Sequence, residues 1–216
     1  MDNATTWKLI HAERAAMADA LAGLSATQWS VPSLCGGWSV QVAAAHIVMG
    51  AEQTKTKFFT RMVANGFRFN RMIDRDARSC GRSSTAEIVS RLRSTVTATN
   101  GPPAPVMTML GEVVVHGQDI CHPLGLDTKP SADALTACLN MYLGANFPVG
   151  TKKRITGLRL VADDTDWAHG DGPEVTGPGT SVLLAMTGRA AALADLSGEG
   201  LAILSQRMMQ TASASV

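Results

Sequence analysis

Residues 106–125 read VMTMLGEVVVHGQDICHPLG, in which apolar side chains recur every three or four positions until Pro123 and Gly125 stop the pattern. That periodicity predicts a helix with one face against a core. Glu112 and His116 stand four apart, one turn along the same face, and Asp119, seven residues after Glu112, shares it. A carboxylate and an imidazole so placed hold one metal ion when a third donor arrives from a facing helix, as bundle cores build their metal sites. The same spacing also arises by chance on ordinary helices, so the third donor has to be sought elsewhere in the chain.

Upstream, the chain continues to read as helix. Trp7, Ile10, Met17, Leu21 and Leu24 form an amphipathic stripe. Arg14 sits on that stripe and needs a partner or a path to water. Pro32, Gly36 and Gly37 mark a connection, after which Ser39 caps a second helix expected to run to about Asn65. His46 lies there among Val42, Ala45 and Met49, facing inward. It is either a hydrogen-bonded core histidine or the missing donor, and two imidazoles with one carboxylate suit a catalytic zinc that keeps a position open. His11, His122 and His169 have no comparable neighbours in sequence. The Arg-rich segment 67–82 has room for a short helix. Ser84 and Glu87 form a capping box for a helix through Ile88, Leu92 and Val96 that ends near Asn100. The GPPAP run at 101–105 is a loop, since proline removes donors and restricts its predecessor. Ser131 opens a further helix through Leu135, Leu139 and Tyr142.

After Gly150 the pattern changes. ITGLRLVADD (155–164) alternates apolar and polar residues, and DTDWAHGDG (164–172) is dense in turn formers, which predicts a strand and hairpin. Helical signals return at 180–187 and 193–209. The expected organisation is a helical domain, 1–150, and a small α+β domain, 151–216.

Composition bounds the function. With 216 residues and 45% hydrophobic, the chain can bury a core without disulfides. The longest stretch free of Asp, Glu, Lys and Arg, 20–51, is broken by Pro32, Gly36 and Gly37, so no membrane span is expected. MDNATTWK does not resemble a secretory signal, and the cytoplasm is the expected compartment. Cys35, Cys80, Cys121 and Cys138 contain no CxxC pair, and reduced, packed thiols are the expectation. A net charge of +1 and only ten aromatic residues argue against nucleic acid. Charge is uneven all the same: segment 55–93 carries ten basic residues against three acidic ones, and segment 163–199 seven acidic against Arg189 alone. The basic stretch reads as a solvated helical face or as a surface for an anionic ligand or partner.

Two segments carry a family likeness. PSLCGGWSVQVAAAHI (32–47) resembles the PxxCxGWxVxxVxAHL signature of the mycothiol-dependent maleylpyruvate isomerase family, one of the DinB-like metal-binding bundles. EVVVHGQDICHPLG (112–125) resembles its ExxxHxxDIxxPLG signature, and DGPEVTGPGTSVLLAMTGR (171–189) is similar to its small second domain. Gly36 stands where a proline is frequent, and Val42 where an acidic residue is. The resemblance implies a mainly α protein, a DinB-like four-helix bundle followed by a small α+β domain. It implies zinc, or another divalent metal, on His46, Glu112 and His116, with mycothiol as thiol cosubstrate. Asp119 is expected behind the ligands, holding an imidazole by its other nitrogen. Cys35 is expected to pack rather than act as nucleophile.

Two functions follow as expectations. The first is an enzyme whose small-molecule partners are a thiol and an electrophile: a cis-trans isomerase of a maleylpyruvate-like dicarboxylate, or an S-transferase. Arg189, in the TGR turn, is its candidate catalytic residue, because a guanidinium fork binds carboxylates at two points. The second is a non-catalytic DinB-like metal-binding or stress-associated scaffold. The oligomeric state is open in both.

Overall fold

The computed structural model describes residues 1–146 and 149–213, which form two compact units, Met1–Lys129 and Pro130–Val216. The fold is mainly helical with one small sheet. Among the described residues no helix is long and apolar enough to cross a membrane.

In the first unit, α1 (Asn3–Ala22), α3 (Val40–Glu52), α6 (Thr85–Ser94) and α7 (Val106–Cys121) form a four-helix bundle. Helices α1 and α3 each pack on both α6 and α7, which closes the ring. The short α2 (Ala26–Trp29) leads toward α3, while α5 (Phe69–Cys80) lies on α3 with α4 (Lys55–Ala64) beside it. The stripes predicted from sequence supply the core: Ile10, Met17 and Leu21 from α1, Val40 and Val48 from α3, Ile88 and Leu92 from α6, Leu110 and Val113 from α7. Each such side chain contributes about 1.5–3 kcal/mol by leaving water.

Helix starts follow their caps. Asp2 accepts from the Thr5 amide, Ser39 from Val42 and Ser84 from Glu87. The helix expected from Ser39 to about Asn65 is two helices. Gln53 is extended, at φ −68° and ψ 131°, and Thr54 caps α4 by accepting from the Lys57 amide. The buried Gln53 side chain takes a bond from Arg61 across the break. Helix α6 also stops earlier than Asn100, at Ser94.

The buried position of Arg14 is explained by its partners. The side chain is 1% exposed, and its Nη1 donates to the carbonyls of Ala98 at 2.8 Å and Thr95 at 3.2 Å, just past the end of α6. Its guanidinium lies 5.8 Å from the centre of the Trp7 ring. Burial pulls its pKa down to about 10, so it stays charged at neutral pH. Arg14→Ala leaves those carbonyls without their donor and opens a cavity; it should lower stability by about 3 kcal/mol, read as a shifted urea midpoint. An unchanged midpoint would mean that the bonds contribute nothing net.

The second unit begins earlier than the expected boundary near Gly150. Helix α8 (Ala132–Leu143) packs on α10 (Gly179–Met186) and α9 (Thr151–Ile155) and so belongs with the C-terminal elements. Periodicity identifies α8 as a helix without saying which neighbours bury Leu135 and Leu139. Strand β1 (Arg159–Ala162) is the centre of a sheet ordered β2–β1–β3. It pairs antiparallel with β2 (Trp167–His169), Leu160 opposite His169, and parallel with β3 (Glu174–Gly177), Leu160 opposite Val175. Leu160, Ala162 and Val175 are buried, as the alternation requires, and α10 contacts both β1 and β3. Gly170 closes the β2 end at φ +82°, where a Cβ would stand 2.3 Å from the Leu158 carbonyl oxygen. The single helix expected over 193–209 is instead a 3-10 turn (Ala190–Asp195) and then α11 (Leu201–Ser213).

Candidate metal centre

Helix α3 is apolar almost all round, with Val40, Ala43, Ala44, Ala45, Ile47, Val48 and Met49 buried, so His46 has nowhere to point but inward and is 6% exposed. Helix α7 packs against α3 and presents Glu112, His116 and Asp119 along one face. The side chains meet. His46 Nε2 lies 3.0 Å from Glu112 Oε2, and His116 Nε2 lies 3.6 Å from the same oxygen. All three donor atoms fall within 4.8 Å of one another. Around a tetrahedral zinc with bonds of about 2.0–2.1 Å, neighbouring donor atoms are separated by about 3.3 Å. The two separations bracket that edge, and a two-nitrogen, one-carboxylate set is one of those that hold catalytic zinc. The residues therefore fit a divalent metal.

Asp119 is fully buried, and its Oδ2 lies 2.9 Å from His116 Nδ1. An ionised carboxylate only accepts, so a bond to it would place the proton on Nδ1 and leave Nε2, which lies toward Glu112, as the nitrogen able to ligate a metal. His46 differs. Its Nδ1 is buried and finds no hydrogen-bond partner among the described residues. Burial pushes the His46 imidazolium pKa down, but the charge and hydrogen bond of Glu112, with the Asp119 charge, outweigh it and hold His46 above its ordinary value. Glu112 keeps 38% of its side-chain surface exposed, against 7% for His46 and 0% for Asp119. The trio thus has a dry side and a wet side.

Two residues of the 32–47 signature, neither of them named as a site residue from the sequence, stand beside the trio. The Trp38 ring centre lies 5.1 Å from that of His46 and 6.3 Å from that of His116, and the indole is 7% exposed. Cys35 offers its sulfur within 4.8 Å of a His116 nitrogen and an Asp119 oxygen, a second donor group sharing those residues. Both belong to the connection 32–39, which is tied to α7 by a bond from the Leu34 amide to the Asp119 carbonyl, 3.0 Å. The signature at 32–47 contains both residues, but it does not say which helix the ring will meet.

Arg189 belongs to the second unit. It opens the 3-10 turn, and its Nη1 donates to the Thr187 carbonyl at 2.9 Å. Arg154, 5% exposed, donates to the Met186 carbonyl and lies against Gly188, whose φ is +99°. Burial first, and the Arg189 charge second, hold Arg154 below its ordinary value, so the turn gathers two cations.

Comparison with known proteins bears on this geometry. Residues 10–121 match the family model described as the mycothiol maleylpyruvate isomerase N-terminal domain. A crystal structure of the mycothiol-dependent maleylpyruvate isomerase superposes with a TM-score of 0.61 at 11% identity, covering 92% of this chain and 93% of that one. A histidine-to-alanine mutant of that enzyme gives 0.60, with the same identity and coverage. At such identity the likeness is one of fold. No curated protein matches the chain.

Proposed function

The chain belongs to the mycothiol maleylpyruvate isomerase N-terminal domain family, and from that premise we propose that it is a zinc-dependent enzyme using mycothiol to isomerise a maleylpyruvate-like dicarboxylate. The observation that carries the reading is the convergence of His46, Glu112 and His116 on one point of the bundle. Zinc held there would supply the positive charge that keeps a thiol ionised at neutral pH.

The chain's own part is positional. Asp119 keeps the Nδ1 proton of His116 in place, which aims Nε2 at the shared centre. Trp38 shields the imidazole pair from water on its side, and the exposed side of Glu112 is where the thiol and its electrophile would enter. Addition of the thiolate to the carbon–carbon double bond sends its electron pair onto the adjacent carbonyl as an enolate and leaves a single bond free to turn. Collapse of the enolate then expels the same thiolate and returns the trans isomer. An electrophile with no such exit keeps the sulfur, and the reaction is then an S-transfer. Both partners are small molecules, and the cytoplasm is where such a thiol stays reduced.

Arg189 is the residue we assign to a substrate carboxylate. Arg189→Ala should lower kcat/KM for a carboxylate-bearing electrophile by about 10- to 100-fold, the worth of a charge-assisted contact, and change a neutral electrophile far less. Equal losses on the two substrates would remove Arg189 from this role. The reading as a whole is tested by zinc content and by mycothiol-dependent turnover of maleylpyruvate. Bound zinc without thiol-dependent turnover of any electrophile would return the chain to a metal-binding scaffold.

A further inference from the structure

We propose that Asp74 is a positioning residue for the metal centre, acting on His46 through Trp38; the inference rests on the metal-centre reading above. The two histidines of the trio are held by different means. His116 is oriented by a hydrogen bond from its Nδ1 to Asp119. His46 Nδ1 has no such partner among the described residues, so apart from the contact of Nε2 with Glu112 the angle of its ring is set by what packs against it. The neighbouring rings are His116, at 4.7 Å and nearly perpendicular, and Trp38, at 5.1 Å and tilted by 55°. The indole is therefore one of the surfaces that set where His46 Nε2 points.

That indole is fixed from outside the bundle. Trp38 Nε1 donates to Asp74 Oδ1 on α5 at 2.8 Å, and the same oxygen accepts from Arg78 Nε at 2.9 Å. Arg78 Nη2 then donates to the Gly37 carbonyl at 2.9 Å, so carboxylate and guanidinium clip the turn before α3 at two successive residues. The hydrogen bond from Trp38, ahead of that from Arg78, holds the Asp74 carboxyl below its ordinary value, so it is an ionised acceptor at neutral pH. Asp74 does at one remove for His46 what Asp119 does directly for His116.

The test is the zinc dissociation constant of the purified full chain, measured by competition with a chromophoric chelator, with thermal melting as the check on folding. Asp74→Ala should weaken zinc binding by about tenfold, at the low end of what losing an outer partner of a ligand costs. Asp74→Asn, which keeps an accepting Oδ1, should stay within about threefold of the parent chain. Trp38→Phe, which keeps a ring but loses the donor, should behave like Asp74→Ala, and it decides the matter should Asp74→Ala fail to fold. Parental zinc affinity in folded Asp74→Ala and Trp38→Phe would overturn the positioning role alone. An Asn variant as weak as the Ala variant would also overturn it, since charge rather than the accepted bond would then be acting. A parent chain that binds no zinc would overturn this inference together with the metal centre.

Discussion

His46→Ala is expected to weaken zinc binding by about 100- to 1,000-fold, so that protein purified without added metal carries little of it. The magnitude comes from sharing the ~10–16 kcal/mol of a four-ligand zinc site among its ligands, about 3 kcal/mol each. The loss should not be made good from α7, because Glu112 and His116 lie on that one helix and α3 supplies the third donor of their group. Acidification should act in the same direction. The surroundings of His46 raise its pKa, so a proton competes with the metal for Nε2 from a higher pH than at an ordinary histidine, and affinity falls as pH drops through that range. Metal analysis and a chelator titration at several pH values check both points. Full zinc occupancy in His46→Ala would sink the assignment of α3 as a ligand helix.

Metal removal should be the larger effect on turnover, at least about 1,000-fold. A free thiol of ordinary pKa is only about 3% thiolate at neutral pH, so ionisation alone accounts for roughly 30-fold; the rest comes from holding the sulfur against its target. Readdition of zinc should restore the rate. Cys35→Ser should leave the rate within severalfold, and this is a demanding control because the Cys35 sulfur sits beside His116 and Asp119. Loss of activity in a folded, zinc-loaded Cys35→Ser protein would move the nucleophile from the cosubstrate to the chain. Undiminished turnover after chelation would exclude the metal from the reaction.

The features legible in the sequence were those that repeat along one element. The period of α7 placed Glu112, His116 and Asp119 on one face, and the apolar surroundings of His46 turned it inward, so the three side chains that meet in the structure emerged from two helices taken separately. The break at Gln53 and Thr54 was passed over although the polar run EQTKTK (52–57) interrupts the apolar period there; what the sequence does not show is the side-chain bond from Arg61 that spans it. For Trp38 and Cys35 the signature at 32–47 supplied the residues but not their place. They lie in a turn, where no period fixes direction, and their nearness to the imidazoles depends on how residues 32–39 return against α7. The division of the chain was misplaced at Gly150 because helix propensity in α8 carries no information about its packing partner.

The bond between the Leu34 amide and the Asp119 carbonyl gives Pro123 a meaning beyond stopping a helix. In an uninterrupted α-helix the carbonyl of residue 119 would be claimed by the amide hydrogen of residue 123, and proline has none. The imino acid thus leaves one acceptor on α7 permanently vacant to its own helix. The turn bearing Cys35 and Trp38 moors on that vacancy, at the same residue whose carboxylate steers His116. A side chain that binds nothing in the site thereby decides, by a missing hydrogen, where the wall of the site is attached.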